Sequence, residues 1–420
     1  MTAGVARERW SGREIVALTS VLLVGILIRL ALLPTPGLRG DLDQFAGWVH
    51  AIATNGLGTL YGPQAAGPVT FGPVMAYVWA ALAEIGPAFR TATDASDPAI
   101  RDLMKLPASA ADIGLAMLVA YALRHRPGWA VIGATGILLH PAVIDISAWW
   151  GQYESIYLLS ALAAAVLAIN GRNGWAAAAI AVSLMTKPQA LPLLVPFAAW
   201  FWATGGWRGI LRAGATGLLV TVVLWLPFLA DGGPANYLRN LGQYQGGIFN
   251  VLSLRAWNVW WPVQEAASGQ FIRDDVAIAG PLTLRAIGYL AAGALELLVG
   301  AAIIRDARPR ALLLGLTASV LVVFSFATQM HERYAFGALV FLALLVAEPG
   351  PRWLSVGFGV VFTLNLLAAV PPTPELGRWL PIGGPLGIAG SVAMLAITFA
   401  AVRLLTGSSR LVPAEGAAPP

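Results

Sequence analysis

Apolar residues in this chain run in long unbroken stretches separated by short polar islands. Windows long enough to cross a bilayer as helices, about 17–25 residues, lie near 14–33, 102–123, 128–148, 153–169, 174–187, 189–204, 213–229, 285–304, 311–328, 335–348, 353–370 and 385–405. A weaker apolar segment lies at 70–86. This pattern predicts an all-α polytopic membrane protein, a bundle of about 11–13 transmembrane helices, with residues 1–420 forming a single integral membrane domain. Behind the first span, Gln44 to Ile52 carries apolar residues at helical spacing, which predicts an interfacial helix in the first outer loop. The tail 407–420, rich in Ser, Gly, Ala and Pro, is expected to be disordered.

Composition supports the membrane assignment. Hydrophobic residues make up 58% and charged residues only 11%, against about 25% charged in soluble domains; the mean hydropathy is +0.72. Sixteen Trp suit a protein with much surface at two membrane–water interfaces. The net charge of +5, spread over loops, is what cytoplasmic anchoring needs and gives no reason to expect nucleic acid. Arg7, Arg9 and Arg13 precede the first apolar run without a cleavage motif, so an uncleaved first helix is expected. The absence of cysteine excludes disulfides and thiolate metal sites. No Walker A, G-x-G-x-x-G or H-E-x-x-H pattern occurs, and the four His form no ligand cluster, so no cofactor or metal is expected.

Placing the basic clusters inside assigns Arg124 to Arg126, Arg172, Arg208 with Arg212, Arg305 to Arg310, Arg352, and Arg403 to Arg410 to the cytoplasmic face, along with both termini. The parity fails at one point: if 70–86 crosses, Arg124 to Arg126 fall outside, so that segment is re-entrant or the rule breaks there. The polar islands Gly40 to Asp43, Trp150 to Glu154, Lys187 to Gln189 and Gln329 to Tyr334 then all land at the outer face. Two longer outer loops, about 34–69 and 230–284, join them; the second, with Trp257, Trp260 and Trp261, resembles a partly membrane-seated lid.

Each island admits a functional and a plainer reading. Asp41 and Asp43 could act as general base on a hydroxyl, or cap a helix. Trp150, Gln152, Tyr153 and Glu154 combine aromatic faces with an amide and a carboxylate, as sugar sites do, or they anchor an interface. Lys187, next to Pro188 and Gln189 at a broken helix, suits an anionic ligand or simply snorkels to water. Arg333, with His331, presents a fork matched to phosphate oxygens. Glu332 either pairs with Arg333 or Lys187 or takes part in binding. Arg29 snorkels outward; Asp112 and Asp145 are further intramembrane acids, Asp145 a second-rank site candidate.

In order and spacing, these islands resemble the GT-C superfamily of polyprenyl-phosphate-sugar glycosyltransferases, most closely the endoplasmic-reticulum glucosyltransferases that extend lipid-linked oligosaccharide and their bacterial relatives. Gly40-Asp41 matches that branch's Gly-Asp in the first lumenal loop. Phe71-Gly72-Pro73-Val74 keeps one proline of its Tyr-Pro-Pro-Leu segment, and Trp150 to Ser155 answers His-Phe-Gln-Tyr-Asn-Ser with Gln152, Tyr153 and Ser155 in common and Glu154 in place of Asn. Lys187-Pro188-Gln189 matches a Lys-Gln pair, and His331-Glu332-Arg333 a His-Glu-Lys near the last helices. The likeness spans about 38–340. It implies a GT-C-like bundle in a bacterial plasma membrane that moves a hexose, glucose or mannose, with inversion. The donor would be a polyprenyl-phosphate sugar and the acceptor a sugar hydroxyl of a lipid-linked or cell-envelope glycan, at the extracytoplasmic face. It further implies Asp41 as base; Lys187, His331 and Arg333 on the donor phosphate; and Asp43, Gln152, Tyr153, Glu154, Gln189 and Glu332 in substrate binding.

Such a reaction fits the residue types, because a lipid phosphate leaves as a stable anion if cations absorb its charge. Two other classes compete. A transporter or flippase for a lipid-linked or anionic substrate would also carry intramembrane charges, but usually at the midplane between repeated halves. A binding or assembly subunit could keep the fold without catalysis.

Overall fold

The computed structural model describes residues 8–62 and 67–407, so the expected disorder of the tail lies, from residue 408 on, outside the described residues. Helix α1 (Gly12–Leu32) opens at Ser11, whose hydroxyl accepts from the Glu14 amide while the Glu14 carboxylate takes the Ser11 amide, a capping box that satisfies two orphan donors. Next come α2 (Arg39–Asn55), α3 (Pro73–Ile85), α4 (Pro98–Ala122), α5 (Pro127–Leu138), α6 (Pro141–Trp150), α7 (Glu154–Ile169), α8 (Asn173–Leu184) and α9 (Leu194–Trp225). The long loop after α9 carries α10 (Gly233–Gln243), strand β1 (Ser253–Leu254), α11 (Trp261–Ala266) and the hairpin β2 (Ala277–Ala279) and β3 (Leu282–Thr283). Then follow α12 (Leu284–Arg305), α13 (Pro309–Phe326), strand β4 (Met330–His331), α14 (Phe336–Ala343), α15 (Pro349–Ala369), α16 (Pro374–Trp379) and α17 (Gly384–Gly407). Prolines stand at the first turn of α4, α5, α13 and α15, where the missing N–H costs nothing.

The helical membrane bundle expected from the sequence forms, with fewer helices able to span alone than the 11–13 expected, because several apolar windows fold as short or bent helices. Seven of the described helices are long and apolar enough to cross alone, or eight if α5 and α6, bent by 44°, count as one span. The windows 153–169 and 174–187 become the shorter hairpin α7 and α8, of 16 and 12 residues, joined by a three-residue turn and packed closely together. The two windows between 189 and 229 form one apolar stretch, Pro188–Phe228, whose backbone turns at Gly206 with φ 58° and ψ −154°. That left-handed φ favours glycine, and it divides the stretch into two arms.

The doubtful segment 70–86 becomes α3, only 13 residues, about 20 Å at 1.5 Å per residue, against a hydrocarbon core of about 30 Å. It does not cross. It packs with α2, and Trp79 joins Phe45, Trp48, Phe71 and Tyr153 in one aromatic cluster. Without that crossing, Arg124 to Arg126 fall at the same end of the bundle as the other basic clusters. The main core joins α4 to α9, α13, α14, α15 and α17; the second lies under α2 and α3.

The loop between α9 and α12 is fastened to the bundle at several places, among them Trp257 to Asn365 and Trp260 to Phe326 O, and to the polar island through a short strand pair. Strand β1 pairs in parallel with β4, Ser253 opposite Met330 and Leu254 opposite His331. Buried Asp274 accepts from Arg285 Nη2 at 2.7 Å, Thr328 Oγ1 at 2.7 Å and Gln329 Nε2 at 2.9 Å. The loop is thereby fixed to the polar island between α13 and α14.

Candidate functional site

Residues from four islands line one cavity of about 920 Å³ at this end of the bundle: Asp41, Gln152, Lys187 with Gln189, and Gln329 to Tyr334. Asp41 lies in the first turn of α2. Its Oδ2 accepts from Trp150 Nε1 at 2.9 Å and from Gln152 Nε2, leaving Oδ1 on the cavity wall without a hydrogen-bond partner among the described residues. Both donors are delivered by the end of α6, where residues 144–150 widen into a π-helical turn and Gly151 reverses the chain at φ 87°. A Cβ at Gly151 would come within 2.7 Å of Leu42 Cδ2, so this close approach of α6 to α2 requires glycine.

The cations stand beside Asp41 and are already paired. Lys187 Nζ lies 2.6 Å from Glu154 Oε1 and 3.3 Å from Gln152 Oε1. Arg333 Nε donates to the same Glu154 oxygen at 3.1 Å, and its Nη1 to Glu332 Oε1 at 2.9 Å. The Arg333 guanidinium also stacks 4.8 Å from the Trp150 ring centre. Glu154 is fully buried, with Oε2 lacking any partner among the described residues. Lys187 does not snorkel: it is 4% exposed, in extended backbone between α8 and Pro188. The backbone of Gly72 and Val74 grips that segment through hydrogen bonds to Thr186 O at 3.1 Å and Met185 O at 3.0 Å.

Arg333 Nη1 approaches His331 Nδ1 at 3.4 Å; a guanidinium can only donate, so Nδ1 is the acceptor of a neutral ring. Burial holds the His331 pKa well below the usual imidazole value, reinforced by Arg333, Lys187 and Arg255. Burial raises the Glu332 carboxyl, against the pull of Arg333.

Three expected site residues lie off this cavity. Asp43 turns to the outside of α2, bonding Arg39 and accepting from the Ala95 amide at 2.9 Å. It caps no helix, since the N-cap of α2 is Leu38. Tyr153 is fully buried in the aromatic cluster, its hydroxyl on Met104 O at 3.0 Å. Glu154 sits beneath the cavity, reaching it only through the cations it holds. Gln189 does line the wall, its Oε1 buried without a partner among the described residues. Arg29 does not snorkel outward: it is buried, donating to Asp112 Oδ2 at 3.0 and 2.8 Å, while Ser147 and Ser155 bond Asp112 Oδ1. This network fastens α1, α4, α6 and α7 below the site. Asp145 is buried away from the cavity wall.

Sequence reasoning missed Arg255. It lines the cavity, is exposed, and bridges His331 in antiparallel fashion from the residue after β1. Its backbone holds φ 64°, rare for a residue with a side chain. Nη1 donates to Ala369 O at 2.7 Å, and no acid pairs with it among the described residues. The two cations Lys187 and Arg333 are paired with Glu154 and Glu332, so Arg255 is the cation of this cavity that no acid pairs with among the described residues. An isolated Arg in a long loop carries no periodicity or motif that could have marked it.

Chemically, the cavity offers a carboxylate oxygen held by two donors, a neutral imidazole, and a cluster of cations on one wall. No protein-family model matches the chain, and no curated protein matches it. Among solved structures the chain is similar to ArnT from Cupriavidus metallidurans in the apo state, with a TM-score of 0.52, 14% identity, and 95% of this chain and 78% of that one covered. The same protein bound to undecaprenyl phosphate aligns with a TM-score of 0.49 at 14% identity, over the same shares of both chains. The likeness to the apo structure concerns the fold, and by it this chain has the GT-C fold of ArnT.

Proposed function

We propose that this chain is a polyprenyl-phosphate-dependent glycosyltransferase of the GT-C type. In this reading it moves a hexose, glucose or mannose, onto a sugar hydroxyl of a lipid-linked or envelope glycan at the extracytoplasmic face of a bacterial plasma membrane. The observation that carries the reading is Asp41, whose Oδ2 is held by Trp150 and Gln152 while Oδ1 is left for a proton, within one cavity with Lys187, His331, Arg333 and Arg255. Asp41 takes the acceptor O–H proton as that oxygen attacks the anomeric carbon. The bond from that carbon to the phosphate oxygen breaks, and its electron pair leaves with the lipid phosphate. Attack opposite the leaving group inverts the anomeric centre.

Stabilising the leaving anion falls to the cations. Because Lys187 and Arg333 are already paired with Glu154 and Glu332, Arg255 is the cation left to attract the phosphate, while Lys187 and Arg333 supply placed hydrogen bonds. His331 in its neutral form donates through Nε2. Gln152, Gln189 and Glu332 line the space next to Asp41 and suit sugar hydroxyls.

The test uses purified protein with polyprenyl-phosphate glucose or mannose labelled in the sugar, and membrane glycolipid as acceptor. Labelled product from wild type, lost in Asp41→Asn with donor binding intact, supports the reading. Full transfer by Asp41→Asn would remove Asp41 as base. Movement of donor across vesicles without transfer would favour a transporter.

A further inference from the structure

At the end of the bundle opposite the site cavity there is a second opening of about 670 Å³, lined by Arg308, Arg310 and Arg403 together with Leu354, Ala400 and Leu404. The helices α13 and α15 begin here, at Pro309 and Pro349, and α17 ends at Gly407. The opening lies one helix length from the site; the 18 residues of α13 measure about 27 Å. It is separate from the cavity described above, shares no lining residue with it, and does not depend on the sugar-transfer reading.

Its charge is uneven. Arg308 binds Asp306, and Arg310 Nε binds Glu348 at 2.7 Å, with Nη1 on Leu404 O at 3.3 Å. Arg403 is exposed and has no acidic partner among the described residues. Neither α13 nor α15 has a side-chain cap; since Pro309, Pro349 and Pro351 lack an N–H and the Ala311 and Arg352 amides are bonded to Arg308 O and Glu348 O, the first turns add only the Arg310 and Gly350 amides to the positive field. The wall is different in kind. Leu354, Ala400 and Leu404 form an apolar strip on one side of the opening, on spans that also carry exposed apolar side chains such as Val360 and Phe399. Gly350 lets α15 and α17 approach closely at the edge of the cleft, since a Cβ there would meet Leu404 Cδ2 at 3.2 Å.

We propose that this opening binds the headgroup of an anionic phospholipid, its phosphate against Arg403 and the rim of Arg308 and Arg310, with an acyl chain along Leu354, Ala400 and Leu404. A free phosphate would use the arginines and leave the apolar strip empty. An amphiphile uses both, and basic pockets between spans are where phosphate-bearing lipid headgroups are held.

The experiment is native mass spectrometry of the full chain in detergent, titrated with phosphatidylglycerol, phosphatidylcholine or inorganic phosphate. One equivalent of phosphatidylglycerol should be retained in preference to phosphatidylcholine. Arg403→Glu changes the charge by two and should weaken that retention about 30-fold, each interfacial charge being worth about 1 kcal/mol, and Arg403→Lys should keep most of it. Ala400→Phe, which fills the strip and leaves every charge in place, should also reduce it. Equal retention of the two lipids, or unchanged phosphatidylglycerol in Arg403→Glu, overturns the proposal. Displacement of the lipid by inorganic phosphate marks a simple anion site and overturns it as well, and undiminished retention by Ala400→Phe removes the acyl chain from the strip.

Discussion

Trp150 donates its indole N–H to Asp41 Oδ2 over 2.9 Å, joining the end of α6 to the first turn of α2 across 109 residues of sequence. The bond selects which carboxylate oxygen faces the cavity. Replacing Trp150 by Phe removes the donor and keeps an aromatic face under Arg333. Hydrogen bonds to charged groups are worth about 1.5–3 kcal/mol, so transfer at saturating donor should fall about 10- to 100-fold. Donor affinity, measured separately, should stay near that of wild type; an equal loss in both would show that Trp150 acts on the binding of the donor instead.

Glu154 holds two buried cations on a single oxygen. Truncation to Ala leaves both without that partner, and breaking a buried pair costs about 3–5 kcal/mol. Thermal unfolding in detergent should show a large loss for Glu154→Ala, part of which Lys187→Met in the same chain restores. Strictly additive losses in the double variant would mean that the pair is not coupled.

Arg255 is the cation of the cavity that no acid pairs with among the described residues. Arg255→Ala should weaken lipid-phosphate donor binding about 10- to 100-fold, and the deficit should shrink as salt rises, because the wild-type attraction is screened. A loss independent of salt would point to packing of the long loop after α9 as the cause.

His331 is held neutral, with its pKa below that of an unfolded chain. An imidazole of ordinary pKa, about 6.5, takes up a proton in the unfolded state first, so its contribution to stability is complete above that value. The contribution is lost as pH falls from there toward the folded pKa. The melting temperature should therefore decline as pH is lowered below about 6.5, and His331→Asn should flatten part of that slope. An unchanged slope in the variant would remove His331 from the account.

Asp274 binds Arg285, Thr328 and Gln329 at once. Asp274→Ala should release β1 from β4, seen as faster hydrogen exchange at the amides of residues 250–256, with the exchange of α4 and α7 unaltered. Protection retained throughout would assign the loop's order to its Trp side chains instead.

The four islands were legible because each interrupts an apolar run, and an unpaired charge in hydrocarbon is costly enough to stand out in one dimension. The short α3 was legible only as an ambiguity, since its composition allows a crossing and its length was known once Gly72 and Gly86 proved to bound it. Asp43 shows the same limit at finer scale. Two residues beyond Asp41 on a helix is a rotation of about 200°, which takes it to Arg39 and Ala95 instead of the cavity.

The sequence by itself determined the class of solvent around this chain, the helical solution that lipid imposes on its backbone, and the gathering of polar islands at one end. Hydropathy reports depth along the membrane normal, and those properties depend on depth. Tertiary structure decided the partners: Glu154 with both Lys187 and Arg333, Arg29 with Asp112, and Arg255 beside His331. Each of these depends on how helices are rotated and placed in the plane of the membrane, and that is settled by packing between segments 33 to 179 residues apart.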